Sequence, residues 1–284
     1  MSQSVTPELR QWVQQQLAAG VSREALYQSM LSSGWMPEVA SQALGQQAES
    51  LPSWTAPAPA QPARPRGELP EPDLAAQHSE IEVLGHKVRV LMALERPRVV
   101  VFGGLLSDDE CDAMVLAARN RLARSETVAS RNEGSEVNSA RTSEGMFFER
   151  GETEVCARVE ARLAALLNWP ASHGEGLQVL RYRRGAEYLP HYDYFEPHHA
   201  SSKAILQRGG QRVGTVVMYL NTPEHGGATT FPDIKLDVMA VKGNAVFFSY
   251  DRPDPATLTL HGGAPVLDGE KWVATKWLRE REFI

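Results

Sequence analysis

His191, Tyr192 and Asp193 are followed by His261, seventy residues after the first histidine, and by Lys271 ten residues further on. Two imidazoles and one carboxylate cover one face of an octahedron and leave the other face open. That ligand set suits non-haem Fe(II) binding a cosubstrate and O2 together. In an extended strand, residues i and i+2 project to one side, so His191 and Asp193 can grip a single metal while Tyr192 turns away. A distant strand must then bring in His261. The chemistry these residue types support is that of an oxygenase. His-x-Asp alone is weak in a chain with eight histidines, so the specificity has to come from its surroundings.

Those surroundings form a series. The run Leu177 to Tyr182 leads to Pro190-His191-Tyr192-Asp193, and Arg212 to Asn221 leads to Gly226-Gly227-Ala228-Thr229. His261-Gly262-Gly263 and Lys271 to Trp277 come last. In this order and spacing the segments resemble the catalytic domain of prolyl 4-hydroxylases, within the 2-oxoglutarate- and Fe(II)-dependent dioxygenases, over roughly residues 80 to 284. The resemblance implies that His191, Asp193 and His261 hold Fe(II) and that Lys271 binds the distal carboxylate of 2-oxoglutarate. It also implies that Tyr182 hydrogen-bonds this cosubstrate and that Thr215 and Trp277 line the same pocket. Arg141, just before Thr142-Ser143 and Gly145-Met146-Phe147-Phe148, matches a segment beside the peptide groove and is expected to contact substrate. The implied reaction consumes O2, hydroxylates a C–H bond of a protein or peptide, peptidyl proline in the family's manner, and releases succinate and CO2. Ascorbate serves as the reductant that rescues oxidised iron.

Two positions depart from the family pattern. Ala228 stands where an acidic residue is usual, and Arg181 replaces a small polar residue before the tyrosine. Neither is a ligand, so iron chemistry is expected to persist while substrate choice shifts. His198 and His199 are read as solvent-facing loop residues. Two other readings stand beside the first: hydroxylation of a free amino acid or other small molecule, and a non-catalytic binding module that retains metal. Self-hydroxylation of the chain's own prolines is a further possibility within the first.

The elements that must position these residues are legible in outline. From residue 176 onward, many short β-prone runs separated by Gly, Pro and Asn turns suggest a jelly roll. Ahead of it lie β-prone runs at 79–84, 87–93 and 97–102 and two amphipathic helices, 107–122 and about 152–168, expected to brace the outside. Ser107 and Glu110 form a capping box for the first helix. The expected fold is α+β but mainly β, a double-stranded β-helix braced by helices. In front of it, residues 1–50 read as a small module of three helices for docking or oligomerisation, and 51–75 as a Pro/Ala-rich linker to the catalytic domain 76–284. Residues 52–72 hold seven of the chain's 18 prolines, a composition that favours extended polyproline II.

Composition sets the remaining bounds. A net charge of −6 argues against a broad nucleic-acid surface. No run approaches the ~18 apolar residues of a membrane span, and Met1 to Glu8 shows no basic-then-apolar leader, so the expected location is the cytoplasm. Cys111 and Cys156 fall inside the two helices and are expected to be buried thiols in a reducing compartment.

Overall fold

The computed structural model describes residues 5, 7–18, 23–32, 35, 37–45, 68–75, 79–124, 127–128, 135–136, 142–197 and 200–284. The chain forms two compact units, Met1–Ala60 and Gln61–Ile284. Arg141, His198, His199 and the linker up to residue 67 lie outside the described residues.

In the first unit, α1 (Pro7–Ala18), α2 (Arg23–Ser32) and α3 (Pro37–Ala43) enclose Val13, Leu26, Met30, Ala40, Ala43 and Leu44. Leu9, Leu17 and Trp35 pack against this cluster from its rim.

The second unit is built on two facing sheets. Its strands are β1 (Glu80–Val83), β2 (His86–Leu94), β3 (Arg98–Gly103), β4 (Glu144–Phe147), β5 (Gln178–Tyr182), β6 (Tyr188–His191), β7 (Arg212–Tyr219), β8 (Thr229–Phe231), β9 (Leu236–Val238), β10 (Ala245–Ser249), β11 (His261–Gly263) and β12 (Lys271–Arg279). The larger sheet runs β1-β2-β3-β10-β7-β12-β5-β4 and ends in the two-residue edge Ala123–Arg124, nine strands in all. The smaller runs β9-β8-β11-β6. Neighbours in both are antiparallel, so alternate residues of each strand face the space between the sheets or the outside.

Strand β12 shows what this arrangement demands of a sequence. All nine residues of Lys-Trp-Val-Ala-Thr-Lys-Trp-Leu-Arg are buried, because both faces of the strand are covered. Val273 belongs to the core between the sheets, and Lys271, Thr275 and Trp277 share its cavity. Trp272, Ala274 and Leu278 belong to the core under the helices. A cation in such a strand needs an anion. Lys276 has Glu160, and Arg279 has Glu175 at 2.8 Å. For Lys271 no carboxylate is found among the described residues.

The outer face of the large sheet is closed by α4 (Asp108–Ala118) and α5 (Glu154–Leu166). Ser107 caps α4 reciprocally with Glu110, the capping box read from the sequence. Thr153 caps α5 through the Cys156 amide, and Asn168, in the left-handed region at φ 49°, ends that stretch just before Trp169 and Pro170. Met114, Val155, Val159, Leu163 and Leu166 fill the interface with the sheet, and Cys111 and Cys156 are free and buried there. The Glu110 carboxylate bridges the helices through Arg162, at 2.7 and 2.9 Å, and Arg158 at 2.9 Å. The proline-rich stretch ends against this unit. The Glu71 amide donates to Leu167 O at 2.8 Å, its carboxylate pairs with Arg98, and Pro70 lies against Gly214.

One element departs from the strand-only reading beyond residue 176. Ala200–Gln207 forms a helix, α6, inside the loop between β6 and β7. Its hold is tertiary: the Arg279 guanidinium donates to Ile205 O and Gly210 O at 2.7 and 2.6 Å, a pairing that local sequence pattern does not encode.

Candidate metal and cosubstrate site

Pairing of β6 with β11 sets His191 directly opposite His261. Asp193 follows two residues on, and one ligand atom from each of the three lies within 4.8 Å of the others. His191 Nε2 is 3.6 Å from Asp193 Oδ1 and His261 Nε2 is 3.4 Å from Asp193 Oδ2. Each imidazole is oriented from behind: His191 Nδ1 bonds to Leu189 O and His261 Nδ1 to Thr259 O, both at 3.0 Å. With Nδ1–H donating to a carbonyl, the Nε2 lone pair is left for a metal. Tyr188 stacks on His191 at 3.7 Å, and Phe248 lies 4.5 Å from the His261 ring. Burial pushes the His261 imidazole down to about 4, which keeps it neutral, the form that ligates. Burial also opposes ionisation of Asp193, but the neighbouring His261 and His191 and the Arg212 guanidinium outweigh it and hold the carboxyl well below its usual range. The donor set, two imidazole nitrogens and a carboxylate oxygen, fits ferrous iron.

The three groups open onto a cavity between the sheets, lined also by Leu180, Tyr182, Tyr188, Lys271, Thr275 and Trp277. Tyr182 and Lys271 are cross-strand partners, and the Lys271 ammonium lies 5.6 Å from the Tyr182 ring and 5.7 Å from the Tyr219 ring. Burial pushes it down to about 8, with no anion among the described residues to restore it. A buried cation in the cavity that also holds a metal-ligand triad fits a dicarboxylate able to engage both.

Residues 177–279 match the 2OG-Fe(II) oxygenase superfamily. Probable prolyl 4-hydroxylase 7 of Arabidopsis thaliana is 38% identical over 69% of this chain and 66% of its own length. Prolyl 4-hydroxylase 2 of the same plant is 36% identical over 69% of this chain and 71% of its own. The chain belongs to the prolyl 4-hydroxylase family of 2-oxoglutarate- and Fe(II)-dependent oxygenases. It thus spans about two thirds of the length of these curated relatives. Among solved structures, the viral collagen prolyl hydroxylase of Paramecium bursaria Chlorella virus-1, in its 2OG complex, aligns at 30% identity with a TM-score of 0.49. That alignment covers 64% of this chain and 94% of the viral one.

The remaining residues expected from this family fall in different places. Trp277 lines the cavity, its indole nitrogen is buried without a hydrogen-bond partner among the described residues, and Arg212 stacks on its ring at 3.9 Å. Thr215 does not line the cavity: its hydroxyl is committed to Asp193 Oδ2 at 2.7 Å, which makes it a support of the ligand and not a wall of the cosubstrate pocket. Of the two departures, Arg181 points to the outer face, where it pairs with Glu144 at 2.5 Å and stacks over Trp272. Ala228 is buried beside Thr229, whose hydroxyl accepts from Tyr219 at 2.9 Å.

Sequence reasoning did not single out Tyr188, Arg212, Glu175 or Tyr250. Glu175 accepts from Arg212 at 2.7 and 2.9 Å and from Arg279 at 2.8 Å, a buried cluster beside Trp277. A glutamate in a loop and arginines at the ends of two strands carry no local motif. The only signal was chemical: arginines bounding strands that are buried and largely apolar.

Proposed function

We propose that the chain is a 2-oxoglutarate- and Fe(II)-dependent dioxygenase that hydroxylates a C–H bond of a protein or peptide, the prolyl ring in particular, with release of succinate and CO2. The observation that carries this reading is the Lys271 ammonium, buried without a carboxylate among the described residues, in the cavity that holds His191, Asp193 and His261. Iron held by these three would supply O2 activation and the oxidising power for an unactivated C–H bond. The chain's own residues supply position. Lys271 pairs with the far carboxylate of the cosubstrate, and Tyr182, opposite it, closes the same end. Leu180, Val217 and Val273 keep the walls apolar and exclude water. The Trp277 N–H, unpaired among the described residues and braced by Arg212, is a donor suited to a peptide carbonyl. Arg141 completes the proposal as a substrate contact, ascorbate as the reductant after uncoupled turnovers, the cytoplasm as the location and the residue 1–50 helices as a docking module.

Succinate release from 2-oxoglutarate with Fe(II), ascorbate and O2, with and without proline-rich peptides, tests the reading, with His191→Ala as the blank. Release that rises with peptide and vanishes in the variant supports it, and the peptide that gains one oxygen names the substrate. Release independent of peptide moves the search to small molecules. None above the blank sinks the enzymatic reading.

A further inference from the structure

The two imidazoles of the site are each anchored by a backbone carbonyl and an aromatic ring. Asp193 is anchored otherwise. Its carboxylate turns about a broad, soft torsion, and what pins it is the Thr215 hydroxyl, 2.7 Å from Oδ2. The Tyr250 hydroxyl lies 3.0 Å from the same Thr215 oxygen. Thr215, Tyr250 and Asp193 are all buried.

The direction of both bonds follows from proton counting. An ionised carboxylate only accepts, so the single proton of Thr215 is committed to Asp193. The Tyr250 hydroxyl must then be the donor to Thr215. Tyr250 is itself held rigidly: its amide donates to Val213 O at 3.1 Å, and its ring meets Phe248 and Tyr194 at 6.2 Å. Thr215 sits on β7 and pairs across to Phe248 of β10, two residues before Tyr250. The two hydroxyls therefore come from β7 and from the residue just past the end of its neighbour β10 in the large sheet, while the ligands come from the small sheet and its flank. The contact is thus the point at which one sheet sets the aim of a metal ligand borne by the other.

We propose that Tyr250 and Thr215 form a two-hydroxyl relay that positions the Asp193 carboxylate for metal, with Thr215 acting on the ligand directly and Tyr250 acting only through Thr215. The relay rests on the reading of His191, Asp193 and His261 as the metal site. Both hydroxyls are positioning groups, since neither lines the cavity.

The test is Co(II) binding by the full chain, followed against a chromophoric chelator and through the ligand-field absorption of the bound ion. Thr215→Val keeps the shape and removes the donor, and it should weaken Co(II) binding about tenfold or more and shift the absorption bands. Thr215→Ser should restore both. Tyr250→Phe should weaken binding by a smaller factor, because Thr215 still donates. Combining Thr215→Val with Tyr250→Phe should give the affinity of Thr215→Val alone, since the second hydroxyl has nothing left to act through. The metal-free double variant should nevertheless melt above Thr215→Val, which leaves the Tyr250 hydroxyl buried and unpaired. Wild-type affinity in Thr215→Val overturns the relay, and so does a double variant that binds more weakly than Thr215→Val. A wild-type chain that does not bind Co(II) overturns the metal-site reading beneath it, a result distinct from either.

Discussion

Lys271 is the residue whose environment makes the sharpest demand on a ligand. Its ammonium is pushed down to about 8 from an ordinary 10.5 because water is removed and no carboxylate among the described residues takes its place. A dicarboxylate that pairs with it binds the protonated form. Affinity for 2-oxoglutarate should therefore be flat below about pH 7 and fall about tenfold per unit above about pH 8. Binding near pH 8 should take up a proton, which calorimetry in buffers of different ionisation enthalpy would register; constant affinity to pH 9.5 would remove Lys271 from this role. Stability carries the matching sign. The unfolded chain holds this proton more tightly, so the ligand-free fold should gain stability as pH climbs from about 8 towards 10.5, and the ligand should abolish the gain. Lys271→Met should weaken 2-oxoglutarate binding roughly 10- to 150-fold, the loss of a charge-assisted bond of about 1.5–3 kcal/mol. Residues of this kind were legible in the sequence because their chemistry is rare and their spacing short: Asp193 follows His191 by two residues at the end of β6, and Lys271 opens a largely apolar strand. The resemblance places Thr215 along the cosubstrate pocket, and within Arg212 to Tyr219 nothing local tells which buried group its hydroxyl meets.

At the scale of elements, the site depends on how closely β11 can lie on β6. Gly262 follows His261, and a Cβ there would come within 2.8 Å of Tyr188 O and 3.2 Å of Pro190 N. Its backbone is not in the left-handed region, so the obstacle is space alone. Gly262→Ala should push β11 away from β6, part His261 from His191 and cost about 1–3 kcal/mol of stability. Metal affinity should fall more than the melting temperature predicts, and a variant with unchanged Co(II) affinity would show that the strand spacing has slack. The bracing helices present a different case. Burial opposes the Glu110 charge, yet Arg162, the Ser107 amide and Arg158 together hold its carboxyl at about 2, against 4.5 when unfolded. That contribution is complete above about pH 4.5 and disappears as pH falls to about 2. Glu110→Gln should cost about 3 kcal/mol at pH 7, with the gap from wild type closing over that window in denaturant titrations. The capping box at Ser107 was legible because a cap is a local pattern. The Arg162 partner, 52 residues away, was not, and neither was α6, whose Ile205 carbonyl is held by Arg279.

At the scale of the whole chain, the units Met1–Ala60 and Gln61–Ile284 have hydrophobic clusters with no residue in common. In the sequence, the proline-rich run has a composition that cannot build a core. Its far end was harder to place, since Pro70 and Glu71 look like linker but find Gly214, Leu167 and Arg98. Among the described residues the first unit buries seven hydrophobic side chains, two of them alanines, which is near the minimum for independent stability. It should melt separately and first. A chain of residues 68–284 should lose that lower transition and keep Co(II) affinity and turnover of a short proline-rich peptide within about twofold, because every residue of the metal site and cavity lies beyond the cut. A chain beginning at residue 73 gives up the Glu71 bonds to Arg98, Leu167 and Asn168 and should melt below it. If the helical unit docks a protein substrate, truncation should raise KM for the intact protein and leave KM for the short peptide unchanged. A fall in Co(II) affinity on removing residues 1–67 would mean instead that the catalytic unit leans on the N-terminal one, against the separation of their cores.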